Sequence, residues 1–391
     1  MPRFCRHLRV ATPPRGSQLS RHKTRRPLPP APVIRVSEDG PKRRFTASFP
    51  RGIVVATHRG MARNLALIQP IIDHAYARFV ADLPRDLQLV GEQLPHRLNL
   101  ASHPDTPWSA VFNNPIVLAM PQLLALGERL PLPAAVRAAA TEAHLFAIVT
   151  AFALDRVDDG QVLADPRLLA VIAHLRRARD RAFLRVLARA SAGTRDYAWA
   201  EATTRAAQER EQRVLHDGRP GTLAAYLEVS SHKQALAFPA ALAAAAAAGW
   251  PRPDRDHLDA LIAGAALGLQ HRDDVVDWID DHNRGGSWLT HLLVERSGPL
   301  TPGLPCDELG ERLHRAGILP DLLHRASEAF ARAAAAARVL TIPDLAAWAQ
   351  EQADLTTVLA ADEARAPGHA VAWEIARKQR REARLRARQA S

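Results

Sequence analysis

The chain has almost no cysteine: Cys5 and Cys306 are its two thiols in 391 residues. Two thiols cannot build a disulfide framework, and no Cys/His run has zinc-ligand spacing. A reducing, cytoplasmic setting fits. Lysine is nearly missing too, with Lys23, Lys42, Lys233 and Lys378 among 52 basic side chains. Together with the excess of Ala, Arg and Pro, this suggests a GC-rich coding sequence. No stretch of about 18 apolar residues escapes a charge or a helix breaker, so no membrane span is expected. Alternating strand patterns of useful length are missing, which excludes a sheet-based architecture. No fixed-period repeat is present; "AALAAAAAAG" is alanine-rich helix, not a repeat unit.

The charge is uneven. Residues 1–60 hold fourteen Arg/Lys against Glu38 and Asp39, and the last eighteen residues hold seven basic and two acidic side chains. The net charge of +11 therefore belongs to the ends, and the body between them is mildly acidic. Nothing argues that the folded body binds nucleic acid. The Pro/Arg-rich segment 1–60 has no sustained apolar period and is expected to be disordered. It reads as a tail, as a targeting segment, or as sequence ahead of a start at Met61.

From residue 61 to about 370 nearly every segment has helical period. Helices are expected over 62–82, 115–129, 134–160, 165–192, 196–215, 220–248, 254–282, 307–338 and 343–363, with a basic helix or tail over 371–391. Breaks fall at "HPDTPW", "LPLP", "DGRPG", "GWPRPD" and "SGPLTPGLPCD". The expected fold is all-α, a single bundle of about ten helices around a central cavity.

Two helices in this bundle end in carboxylates. In "GLQHRDDVVDWIDDHNRGG", Asp273, Asp274, Asp277, Asp280 and Asp281 crowd one flank of a helix that emerges from an apolar run. At roughly 100° per residue, Asp273, Asp277 and Asp281 fall within about 80° of one another, with Gln270 between them. Like charges at i and i+4 repel by about 0.2–0.5 kcal/mol per pair. In "AHLFAIVTAFALDRVDDGQ", an apolar helix ends in Asp155, Asp158 and Asp159. The carboxyl-terminal end of a helix favours cations, so this placement is also unfavourable by itself. Two such choices point to a missing positive partner. A hard divalent cation such as Mg²⁺, which takes oxygen ligands and phosphate oxygens, supplies one.

These residues resemble the class I isoprenoid synthase superfamily, the trans-prenyl diphosphate synthases and class I terpene synthases. "LQHRDDVVDWIDD" is similar to the second aspartate-rich motif of the prenyl synthases, with Gln270 three residues ahead of the aspartate run. "LDRVDDG" resembles the first motif, with Asp155 and Asp159 as outer carboxylates and Arg156 where a second Asp is usual. "YLEVSSHKQALAFPAALAAAAAAG" resembles the helix whose lysine contacts the diphosphate, here Lys233. The resemblance covers residues 110 to 300.

It implies that Asp155, Asp159, Asp273, Asp277 and Asp281 hold Mg²⁺, three ions with the substrate diphosphate, and that Asp158 and Asp274 are additional ligands. It implies that Lys233 and Gln270 act on a prenyl diphosphate, geranylgeranyl or longer given the small Ala151 and Thr150 ahead of the first motif. Phe146, Phe152, Phe238, Trp278 and Trp288 are candidates to face a carbocation. An arginine pair for a second diphosphate is not evident: Arg167 stands alone, with Arg176 and Arg177 two turns further on. The expected reaction is therefore that of a terpene synthase, a lyase that releases pyrophosphate and cyclises or deprotonates the cation. A prenyltransferase and a catalytically degenerate helical binding protein are the alternatives. A homodimer is admitted. "VLHDG", with His216 and Asp217, is a faint sign of a metal phosphohydrolase.

Overall fold

The chain divides into two units, residues 1–46 and 47–391, and every element below belongs to the second. The computed structural model describes residues 59–377 and 379, apart from 113–114, 128–130, 159, 191–194, 216–220, 285 and 302. The basic segments 1–58 and 380–391, Asp159, His216 and Asp217 thus lie outside the described residues.

Among those residues there is no strand, as the missing alternation requires. The first half holds α1 (Arg59–Ala81), α2 (Arg85–Glu92), α3 (Leu94–Arg97), α4 (Trp108–Val111), α5 (Pro115–Leu118), α6 (Met120–Leu124), α7 (Ala134–Asp158) and α8 (Pro166–Leu187). Then follow α9 (Tyr197–Leu215), α10 (Leu223–Lys233), a 3₁₀ turn at Ala235–Ala237, α11 (Pro239–Ala247) and α12 (Arg252–Val276). The last third is α13 (Trp278–Asn283), α14 (Trp288–Ser297), α15 (Cys306–Arg315), α16 (Ile318–Val339) and α17 (Pro343–Arg365), with 369–377 again helical.

Local chemistry sets several ends. Asp165 caps α8 by accepting from the amides of Arg167 (2.8 Å) and Leu168 (2.9 Å), with Pro166 preset at the first helical position. Thr222 caps α10 through the Ala225 amide, 3.1 Å away. Four expected helices are broken. The 115–129 helix divides at Ala119 into α5 and α6. The 220–248 helix divides before Pro239, whose ring suits a first turn but not an interior. The 307–338 helix divides at Gly317, whose φ of 68° is left-handed. The 254–282 helix divides at Asp277, which closes α12 and opens α13.

Helix α7 is long and apolar enough to cross a membrane by length and composition, but 61% of its most apolar window is buried inside the protein. It packs on α8 and, with α12, against the alanine helix α11. In α11, Ala240 to Ala246 and Leu242 are buried, and their short side chains let three helices approach. The apolar interior forms two clusters. One runs through α1, α7, α8, α11 and the first half of α12 as far as Ala265. The other gathers Tyr226, Val275, Val276, Trp278 and Trp288 around α14 and the start of α16. Residues 266–274 of α12 cross the seam between them.

Helix α12 is held against α16 through Gly264 and Gly268, one turn apart. A Cβ on Gly264 would stand 2.6 Å from the carbonyl oxygen of Ala329, and one on Gly268 would stand 2.8 Å from the ring of Phe330. This seam fixes the rotation of α12. Asp273, Asp277, Gln270 and Asp274 fall roughly 180–280° around the helix from Gly264, on the side facing away from α16. An exposed Gly→Ala change in a helix normally gains up to about 1 kcal/mol. Here Gly268→Ala is expected to cost about 1–3 kcal/mol by overpacking, read as a lowered Tm. A raised Tm would refute the seam.

Candidate metal and diphosphate site

The carboxyl-terminal end of α7 and the α12–α13 junction meet at one recess. Arg156 and Gln161 line one side, and Asp277, Asp280, Asn283 and Arg284 the other, around about 430 Å³. The floor at the α7 side is a tight loop: the Arg156 carbonyl accepts from the amides of Gln161 (2.9 Å) and Val162 (3.2 Å).

The aspartate ladder of the second motif survives the break in the helix. The Asp277 amide donates to the Asp273 carbonyl at 2.9 Å, and the Asp281 amide to the Asp277 carbonyl at 3.0 Å. Their side chains stay neighbours. Asp273 is exposed to solvent, with protein atoms packed around its carboxyl. That crowding, partly relieved by Arg272 and reinforced by Asp277, raises it to about 6. Asp281 is likewise raised to about 6 by burial, against the pull of Arg284, whose Nη2 is 2.6 Å from its Oδ1.

Lys233 lies between the two motifs. Its ammonium donates to Glu211 Oε2 of α9 at 2.7 Å. Burial works against its charge, but Glu211 foremost, then Asp155 and Asp274, hold the proton, and the net shift is upward. Carboxylates from both motifs thus act on one lysine. Asp155, near the end of α7, is half-buried, and Asp158 is exposed at its last position.

Asp274 is engaged by protein on both oxygens. Gln270 Nε2 donates to Oδ1 at 2.8 Å, and the Tyr226 hydroxyl donates to Oδ2 at 2.6 Å. Gln270 in turn accepts from Gln234 Nε2 at 2.8 Å. The Tyr226 hydroxyl also sits 2.8 Å from His271 Nδ1. With the hydroxyl proton given to Asp274, that nitrogen carries the hydrogen, consistent with an imidazole lowered to about 4 by burial. Burial raises Asp274 to about 7, against these donors and Lys233. Both relays end on Asp274 and fix the orientation of Gln270.

Sequence reasoning missed Glu211, Tyr226, His271 and Arg377. Glu211 receives Lys233 and also Trp288 Nε1, at 2.9 Å. Arg377, in the 369–377 helix, forks onto Glu374 at 2.6 Å through both Nε and Nη2, and Asp273 and Asp277 add to the pull on its proton. The guanidinium groups of Arg377 and Arg272 each lie over the Trp373 ring, 5.6 Å from its centroid. Of the aromatic candidates, half-buried Phe152 tilts against Phe112 at 4.5 Å, one turn before Asp155. Phe146, Phe238, Trp278 and Trp288 are buried in the two apolar clusters. Thr150 is buried and Ala151 half-buried.

Among the described residues no three His, Cys, Asp or Glu side chains converge closely enough to hold an ion alone. Mg²⁺ commonly takes only one or two carboxylates and completes its shell with water and phosphate oxygens. The raised carboxyl groups Asp273, Asp274 and Asp281 all belong to the α12–α13 side, shifted chiefly by burial, and with Asp277 on the open polar recess they fit an ion shared with a phosphate ligand.

The raised carboxyl groups set a pH dependence. Where the folded pKa of Asp273 exceeds its ordinary value, the folded state binds more protons. Stability therefore falls as pH climbs from about 4 to about 6, and stays lowered above. Asp273→Asn is expected to raise the Tm of metal-free protein over the parent at about pH 8, with the gain shrinking at about pH 5. An equal difference at both would contradict the crowding.

No family's sequence pattern matches this chain, and no curated protein does. Its structure superposes on a polyprenyl synthase from Caulobacter crescentus CB15, crystallised with calcium and isoprenyl diphosphate. The TM-score is 0.55 at 17% identity, covering 76% of this chain and 97% of that one. A polyprenyl synthase from Roseobacter denitrificans aligns at a TM-score of 0.47 and 19% identity, over 76% and 98% of the two chains. The protein has the all-α isoprenoid synthase fold.

Proposed function

We propose that the protein is an enzyme acting on prenyl diphosphates with divalent cations. One observation carries the reading: the ends of α7 and of α12–α13 converge on a polar recess and on Lys233. Asp155, Asp159, Asp273, Asp277 and Asp281 would hold the ions, with Asp158 beside them. The ions, when bound, neutralise a diphosphate and make it a leaving group. Lys233 adds a fixed positive charge, oriented by Glu211. Asp274 steers Gln270 toward the same side of α12.

Prenyl transfer is the first reading, ahead of the lyase reaction favoured by the sequence. It is supported by a fold shared over almost the whole length of a polyprenyl synthase whose crystal contained isoprenyl diphosphate. A one-substrate reaction stays as the second reading because of the arginines of α8. Arg176 pairs with Glu201 at 3.2 Å, Arg167 and Arg177 are exposed, and none of them lines the recess.

Incubation with geranylgeranyl diphosphate and Mg²⁺, with and without isopentenyl diphosphate, separates the readings. Pyrophosphate release that needs the second substrate supports transfer, and release without it supports the lyase. No release from prenyl diphosphates of any length would overturn both.

A further inference from the structure

We propose that Arg156 is itself a diphosphate-binding residue, a fixed cation built into the first aspartate cluster. The inference rests on the functional reading above. Arg156 lies on α7 between Asp155 and Asp158, where the cluster would otherwise be wholly acidic. Its side chain lines the recess opposite Asp277, Asp280 and Asn283. The last turn of a helix favours a cation, so the charge is stable there before any ligand arrives. The loop that closes on its carbonyl through Gln161 and Val162 fixes its backbone.

The recess has a second guanidinium, Arg284, on the α13 side. Its Nη2 binds Asp281 at 2.6 Å and its Nε the Asp280 carbonyl at 3.1 Å. Arg156 approaches from the other helix. A guanidinium presents a planar fork that matches two phosphate oxygens, whereas an ammonium offers a point charge. Gln161 beside it and Asn283 across the recess add neutral donors. An arginine here attracts the diphosphate and repels a metal ion, and the two effects have opposite signs when it is removed.

That difference makes the test. Calorimetric titrations of Mg²⁺ alone, and of inorganic pyrophosphate at saturating Mg²⁺, compare the parent with Arg156→Ala and Arg156→Lys. Thermal melts confirm that each is folded, and the lysine variant covers the case in which alanine is not. The expected result is pyrophosphate affinity lowered about tenfold or more in Arg156→Ala, with Mg²⁺ alone binding no more weakly. Arg156→Lys is expected to fall between, having the charge without the fork. If Arg156→Ala binds pyrophosphate as tightly as the parent or tighter, Arg156 is only a counter-ion for Asp277 and Asp280. The proposal is then overturned while the functional reading stands. If the parent does not bind pyrophosphate with Mg²⁺, the functional reading fails and this proposal with it.

Discussion

Asp277→Ala is expected to lower Mg²⁺-dependent pyrophosphate release from a prenyl diphosphate on the order of 10²–10³-fold, or about 3–4 kcal/mol of barrier. Asp277 is the hinge of the candidate site. It ends α12, starts α13, lines the recess, and contributes to the raised state of both Asp273 and Asp281. Its backbone, at φ −105° and ψ 5°, suits alanine, so the fold should persist. Removing the carboxylate relieves repulsion on Asp273 and Asp281 but also takes an attractive charge from Arg377, so the metal-free variant should melt within a few degrees of the parent. Activity lost with stability kept separates a functional carboxylate from a structural one. Unchanged turnover would mean that the ridge holds no ion.

Glu211→Ala should have the largest effect on stability. The Lys233–Glu211 pair is mostly buried, with side chains 22% and 15% exposed. Removing one partner of a fully buried pair costs about 3–5 kcal/mol, because the other charge is stranded. Asp155 and Asp274 remain near Lys233 and soften the loss. The buried Trp288 indole also loses its acceptor. About 2–3 kcal/mol is expected, and at about 2–4 °C per kcal/mol the Tm should fall roughly 5–10 °C. Glu211→Gln keeps an acceptor for Trp288 and should fall about half as far. A Tm within a degree of the parent in both variants would show that the pair contributes nothing.

The architecture was legible where composition is decisive. Helix formers, the missing alternation and the Pro/Gly breaks give the long helices, several to within a few residues. Gly317 was not read as a break, because a lone glycine in a helical pattern is usually tolerated. The division at Asp277 has no Gly or Pro to announce it and depends on how α13 packs through Trp278. The glycine seam of α12 was visible in "GAALG" but looked like part of an ordinary apolar run.

The aspartates stood out because carboxylates at the end of an apolar helix are costly without a partner. Lys233 stood out because lysine is rare here. Glu211 did not, since "QEREQR" reads as a solvated face, and only the fold brings it to Lys233. Tyr226 and His271 sit in apolar surroundings, where core packing is the default expectation. Which groups complete a polar network depends on contacts between residues 22 to 77 positions apart, such as Lys233–Glu211 and Trp288–Glu211.

The most direct test is a crystal structure of the protein soaked with Mn²⁺ and inorganic pyrophosphate, read by anomalous scattering. The account predicts Mn²⁺ peaks within about 2–2.5 Å of carboxylate oxygens on both the α7 and α12–α13 sides, each sharing an oxygen of the same pyrophosphate. Peaks confined to exposed carboxylates elsewhere, with the recess occupied by water alone, would contradict it.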